Sequence, residues 1–231
     1  AAGDSGGAMG AALYVYHQLL KKPRKFIMEH AYWGPEENNI SIKAKLEKTK
    51  LSFVYYRNIE KKVAELISQG RIIARYNGRA EWGPRTLGNR SILADPRDPK
   101  IREKLNAIKD RDWFRPVCPS ILEEKTPEFF GIKNSPFMLL TVKANPKKVS
   151  LIPGALHQDK TARLQTINRV QNPSFYKIIK EFNKITGIPL VINTSFNFRG
   201  QPIVNTVDDA LACFFATGID VLAIGNFLIE K

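Results

Sequence analysis

Cysteine is scarce, with two residues in a chain of 231. Cys118 and Cys213 stand far apart and outside any C-x-x-C spacing, which excludes a disulfide framework and a thiolate metal cluster. Such cysteine use fits a reducing cytoplasm. Histidine is nearly as scarce: His17, His30 and His157 are the whole set, and their separations match no metal-binding spacing. No apolar run nears the ~20 residues of a membrane span, so no membrane partner is expected. No signal peptide is visible. A G-x-x-x-x-G-K-S/T phosphate loop is missing, which excludes a Walker-type nucleotide site. A G-x-S-x-G elbow is missing too, and no serine nucleophile of that type is supported. Internal repeats and low-complexity tracts are absent. Acidic residues are in short supply, 22 against 36 basic ones, giving a net charge of +14. That surplus suits anionic partners, although by composition alone a lysine-rich surface is the first reading.

Length and a 43% hydrophobic content allow a sizeable core. The chain begins Ala1-Ala2-Gly3-Asp4-Ser5-Gly6-Gly7, without a methionine, and reads as cut from something longer. A helix is expected over 6–20, rich in small residues. Asp4 would cap it in the ordinary case. Residues 21–56 read as a connector carrying a short helix within 36–49. From 57 onward helical and strand patterns alternate, which predicts one α/β domain with a twisted mixed sheet. Helices are expected over 59–69, 100–108, 173–186 and 207–217. Strands are expected at 71–76, 137–142, 189–192 and, as a pair, within 221–229.

The densest polar stretch is Gly78-Arg79-Ala80-Glu81-Trp82-Gly83-Pro84-Arg85-Thr86-Leu87-Gly88-Asn89-Arg90-Ser91-Ile92. It has too little apolar material to build a core, and glycine with guanidinium suits close approach to an anion. Seven arginines lie between Arg79 and Arg115, against six carboxylates, so local pairing could neutralise only part of them. Two further polar clusters, His157 to Gln165 and Asn193 to Asn197, fall at strand ends or loops, where open α/β sheets collect ligands.

These stretches closely resemble the O-carbamoyltransferases of nodulation-factor, cephamycin and aminoglycoside modification. Phe114-Arg115-Pro116, Asn193-Thr194-Ser195-Phe196-Asn197 and Gly200-Gln201-Pro202-Ile203-Val204 carry the resemblance along with the opening stretch. It implies two units. Residues 57–231 would be a carbamoyl-adenylate-forming domain, with the fold of threonylcarbamoyl-adenylate synthase. Residues 1–56 would be the end of an actin/hsp70-like carbamoyl-transfer domain plus the connector. Lys109-Asp110-Arg111 and Ser195-Phe196-Asn197 match the family's K-x-R and S-x-N pairs, which implies catalytic roles for Lys109, Arg111, Ser195 and Asn197. Arg79, Arg85, Asn89, Arg90, Arg115, His157, Arg163 and Asn193 are the implied substrate and ATP contacts. Asp4 becomes one ligand of an iron-type divalent metal whose histidine ligands lie outside this chain. The implied partners are carbamoyl phosphate, ATP with Mg2+, a hydroxylated small-molecule acceptor and the preceding domain. A homodimer is compatible with this reading. A tRNA-binding module is the main alternative, disfavoured because the basic residues sit in glycine-rich loops. A catalytically incomplete fragment is the other. Ala80, Trp82, Thr86, Val117-Cys118 and Lys160 depart from the family pattern, and none removes a proposed charged group.

Overall fold

The computed structural model describes residue 1 and residues 3–231, with only the backbone of Asp4. The expected metal ligand, the Asp4 side chain, therefore lies outside the described part. Helix α1 (Asp4–Tyr14) runs into a wider π-type turn over Val15–Leu19. An extended run follows, then α2 (Asn39–Thr49), started by the Asn38 side chain accepting from the Ser41 N–H at 2.9 Å. The remaining elements are β1 (Val54–Tyr55), α3 (Ile59–Ser68), β2 (Ile73–Tyr76), β3 (Arg90–Ala94), α4 (Ile101–Ile108) and β4 (Cys118–Leu122). Next come α5 (Thr126–Phe130), β5 (Thr141–Lys143), β6 (Thr161–Arg163), β7 (Gln165–Ile167) and α6 (Pro173–Thr186). The chain closes with β8 (Leu190–Ser195), α7 (Val207–Ala216), β9 (Val221–Ile224) and β10 (Phe227–Glu230).

Eight strands form a mixed sheet in the order β1-β10-β9-β2-β3-β8-β4-β7. Only β2–β9 and β4–β7 are parallel. Strands β5 and β6 form a separate pair. Helices α3 and α6 pack on each other over one face of the sheet. Their stripes dictate this. Val63, Leu66 and Ile67 recur on α3, and Phe175, Ile178, Ile179 and Phe182 on α6, all buried. Asn172 caps α6 by accepting from the Phe175 N–H, and Gly187, at φ 75°, ends it. A capping box between Thr206 and Asp209 starts α7.

The fold class is the expected mixed α/β sheet. Four local expectations need correction. First, the polar stretch does enter the core: Arg90–Ala94 is a central strand, buried at every position. Second, residues 118–122, not marked as a strand in the sequence, are another buried strand. Third, the strand expected over 137–142 is confined to Thr141–Lys143. Fourth, part of the 21–56 connector belongs to the sheet domain's core. Ile42 and Leu46, one helical turn apart, are buried with the sheet residues, and β1 pairs with β10. None of the described helices is long and apolar enough to cross a membrane.

Candidate active site

The loop between β2 and β3 is held from beneath by one acid. Glu81 Oε1 accepts from the Leu87 N–H at 2.6 Å, from the Asn89 N–H at 2.7 Å and from the Arg90 N–H at 3.4 Å. A carboxylate can satisfy three backbone donors that the turn would otherwise bury unpaired. Burial raises the Glu81 pKa, and the N–H groups oppose that. Gly88 lets the loop settle onto α6: its φ is 119°, and a Cβ there would lie 2.2 Å from Phe175 Cδ1. Arg75 reaches up from β2 to donate to the Gly88 carbonyl at 2.7 Å and to Ser174 Oγ at 3.1 Å.

Three expected ligand contacts prove to be parts of this scaffold. Arg90 is fully buried, donates to the carbonyls of Asn77, Asn89, Gly78 and Pro35, and lies 3.7 Å over the Tyr76 ring. Carbonyl dipoles and the ring face hold its Nη atoms in the interior, while its Nε has no partner. Asn89 donates to the Arg79 carbonyl and accepts from Asn172. Arg79 is exposed and donates to the Trp33 carbonyl. None of the three lines the cavities described below.

The ends of β8 and β4 and the loop above them build the site. Residues alternate along a strand, so Asn193 and Ser195 share one sheet face. Asn193 pairs with Cys118, and Ser195 with Ser91. The Asn193 amide donates to Ser120 Oγ at 3.1 Å and to Gln165 Oε1 at 3.0 Å, while Gln165 Nε2 donates to the Leu87 carbonyl at 2.9 Å. Gln165 closes the polar run from His157, whereas Ser120 has no place among the sequence candidates. Their signal was polar side chains inside buried strands.

Lys109, just past α4, meets Ser195 and Asn197, bringing the K-x-R and S-x-N pairs together. Its Nζ lies 3.1 Å from Ser195 Oγ, 2.9 Å from the Asn197 carbonyl and 2.6 Å from Asn197 Oδ1, and it also donates to the Ser195 carbonyl. Ser195 Oγ donates to Asn197 Oδ1 at 2.7 Å. Burial, with Arg111 adding repulsion, pushes the Lys109 pKa down to about 7. This cage lines a cavity of about 300 Å³ with Arg111 and Arg115. Arg115 is exposed and faces Asp112 at 3.8 Å.

Arg111 and Ser195 also line a smaller cavity, of about 80 Å³, with Arg85, Arg163, Cys118 and Asn193. Among the described residues no carboxylate lines it. Arg163 donates to Cys118 Sγ at 3.0 and 3.2 Å. Arg111 donates to Asn106 Oδ1 through Nε, but its buried Nη2 has no partner. Burial lowers the pKa of Arg85, with Arg163 adding to the effect, and lowers that of Arg111, with Arg115 adding. Asp95 pairs with Arg97, Asp98 with Lys104, and Glu81 is held by backbone N–H groups, while Asp110 and Asp112 line the adjoining Lys109 cavity. Arg85, Arg111 and Arg163 thus converge where no described carboxylate balances them, beside that cavity. Such an arrangement suits a ligand with several negative oxygens. His157 does not join this cluster. It lines a third cavity, on the other side of residues 111–116.

The sequence pattern described as the carbamoyltransferase C-terminus matches residues 64–231. The chain belongs to that family. Among relatives of this carbamoyltransferase C-terminal domain, Nodulation protein NolNO of Sinorhizobium fredii is 40% identical over 242 residues, covering 100% of this chain and 35% of the relative. Nodulation protein NolO of Bradyrhizobium diazoefficiens is 39% identical over 239 residues, covering 100% of this chain and 44% of the relative. The chain therefore spans less than half of either relative. Full-length HypF, solved in a phosphate- and nucleotide-bound form, superimposes with a TM-score of 0.50 at 19% identity, covering 79% of this chain and 22% of HypF. Sua5 of P. abyssi gives 0.51 at 14%, covering 74% of this chain and 50% of Sua5. At such identities the likeness is one of fold.

Proposed function

We propose that this carbamoyltransferase domain activates a carbamoyl group with ATP, for transfer to a hydroxyl of a small-molecule acceptor by a preceding domain of the same protein. Carbamoyl phosphate and water would give carbamate and phosphate. A carbamate oxygen then attacks the α-phosphorus of ATP, and the bond from that phosphorus to the bridging oxygen of the β-phosphate breaks. The products are carbamoyl-adenylate and pyrophosphate. Carbamate is a poor acyl donor until its oxygen carries such a leaving group.

The observation that carries this reading is the Lys109–Ser195–Asn197 cage joined, through Arg111 and Ser195, to a pocket that Arg85 and Arg163 line and that holds no carboxylate among the described residues. Attack of one anion on another needs cations to offset the repulsion, and here they are fixed before the ligand arrives. Arg85, Arg111 and Arg163 neutralise the carbamate and phosphate oxygens. Lys109 takes charge developing on the phosphates, and Ser195 and Asn197 hold Nζ in place. Asn193 orients the planar carbamoyl group. The described residues include no cluster of three or more metal-ligating side chains, so Mg2+ would enter with ATP and be held by its phosphates. An iron-type metal held in part by Asp4 would serve the acceptor-transfer step in the preceding domain.

Pyrophosphate release with carbamoyl phosphate, ATP and Mg2+ tests the reading. Removing a preorganised donor from the reacting charge costs about 10²–10³ in rate. Lys109→Ala should fall by that much, and Ser195→Ala by a smaller factor. Release unchanged in Lys109→Ala would refute the assignment.

A further inference from the structure

The back wall of the arginine pocket comes from a segment outside the family pattern, which matches residues 64–231. Cys118 and Met138 line the pocket and are buried together with Ala31 and Leu87, and Met28 and Tyr32 pack on that cluster. Residues 31–35 run beside the arginine loop as a paired strand would. The Ala31 carbonyl accepts from the Trp82 N–H at 2.7 Å, the Gly34 N–H donates to the Ala80 carbonyl at 2.9 Å, and the Pro35 carbonyl accepts from the Ala80 N–H at 2.8 Å. Trp33 stacks on Trp82, with ring centroids 5.7 Å apart. Glycine permits this approach, since a Cβ on Gly34 would lie 2.9 Å from the Ala80 carbonyl oxygen.

One side chain of the segment enters the polar network of the pocket. The Tyr32 hydroxyl donates to the Leu87 carbonyl at 2.8 Å, and Gln165 Nε2 donates to the same oxygen at 2.9 Å. A carbonyl oxygen has two lone pairs, so both are taken. Gln165 Oε1 in turn accepts from the amide of Asn193, which lines the pocket. The Leu87 N–H is held by Glu81. Leu87 is therefore fixed at both its N–H and its carbonyl, next to Thr86 and two residues after Arg85, which both line the pocket. Burial raises the Tyr32 pKa and Glu81 adds to it, against Asn172 and Arg75, so the hydroxyl stays a donor across the neutral range.

We propose that Tyr32 is a positioning residue of the arginine pocket: its bond to Leu87 sets the reach of Arg85, so that the 28–35 segment and an anion in the pocket stabilise one another. The inference rests on the reading of that pocket as an anion site. Coupling between two sites is reciprocal. An anion that holds Arg85 steadies the loop and the segment paired with it, and loosening the segment weakens the anion. A tyrosine that served only to pack the interior would add stability and leave anion affinity alone.

Sulfate is the probe, titrated calorimetrically into the full chain, with the binding lost in Arg163→Met taken as that of the pocket. Tyr32→Phe keeps the ring in its apolar cluster and removes only the hydroxyl. It should weaken sulfate about fivefold, the equivalent of one ordinary hydrogen bond. Tyr14→Phe, altered at an exposed ring on α1, should bind as the wild type does. A second measurement needs no variant to fold. Hydrogen exchange of the Gly34, Ala80 and Trp82 amides, followed by NMR in the wild type, should slow about fivefold under saturating sulfate, while the amides of α1 are unchanged. Equal sulfate affinity in wild type and Tyr32→Phe, or exchange at those three amides indifferent to sulfate, overturns the inference and leaves the pocket standing. Absence of Arg163-dependent sulfate binding in the wild type refutes the pocket itself, and the role of Tyr32 falls with it.

Discussion

Lys109 should take up a proton whenever the site takes up an anion. In the ligand-free protein its pKa is near 7, because burial and Arg111 disfavour the ammonium. An anion against Nζ removes that penalty and returns the pKa towards its ordinary value of 10.5. A group with pKa 7 is about 90% protonated at pH 6, about 50% at pH 7 and about 10% at pH 8. Binding should therefore draw in about 0.1, 0.5 and 0.9 proton per site at those three values. Affinity should fall about fivefold between pH 7 and pH 8 for the same reason. Sulfate is the suitable probe, since it stays fully ionised across this range. Titration calorimetry in buffers of different ionisation enthalpy reads the proton count directly. The wild type should show the rising series, and Lys109→Met should lose it. A flat proton count from pH 6 to pH 8, or the same series in Lys109→Met, would refute the argument. The shift also has a sign for stability. Between pH 7 and 10.5 the unfolded chain holds more protons than the folded one, so the ligand-free domain should become more stable as pH rises through that window, as far as Lys109 is concerned.

Further expectations concern the loop that covers the site. Glu81→Ala strands three backbone donors and should lower stability by about 2–4 kcal/mol, read as a drop in denaturation midpoint. Glu81→Gln keeps the accepting oxygen and sheds a buried charge, so it should cost about 1 kcal/mol or less. An equal loss in both variants would show that the charge, not the oxygen, holds the loop. Gly88→Ala meets both a positive φ and the Phe175 ring at 2.2 Å. It should destabilise the domain by about 3 kcal/mol or more, whereas the control Gly70→Ala, with open space around it, pays only for its φ of 83°.

The sequence made the helices plain and hid two of the central strands. The stripe on α6 and its Asn172-Pro173 start leave little choice of structure. Residues 90–94 and 118–122 look polar or broken because Arg90, Ser91, Cys118, Pro119 and Ser120 fill them. They are strands because most of their polar groups find partners only after the chain has closed, as the Arg90 Nη atoms do among carbonyls and Ser120 does with Gln165. No periodicity signals such long-range satisfaction. The same limit applies to the site. Lys109, Ser195 and Asn197 stand in short motifs and were legible as a group. The fate of the arginines was not: Arg85, Arg111 and Arg163 face one pocket, Arg90 is locked inside, and Arg79 lies outside. Spacing along the chain says nothing about which guanidinium groups are already spent. The Glu81 clamp escaped for a related reason, since its partners are backbone N–H groups that any sequence would supply.

The pairing of Ser91 with Ser195, and of Cys118 with Asn193, ties the pocket to sheet alignment. Strand periodicity puts Asn193 and Ser195 on one face of β8 and Ile192 and Thr194 on the other. Sliding β8 by one residue would put Ile192 and Thr194 where Asn193 and Ser195 stand, and would drive the two polar residues into the apolar layer. An insertion or deletion within this strand would erase the pocket and the hydrophobic interior together. Inheritance can therefore retune this pocket by exchanging single side chains at positions such as 118 or 165, while changes of strand length are closed to it.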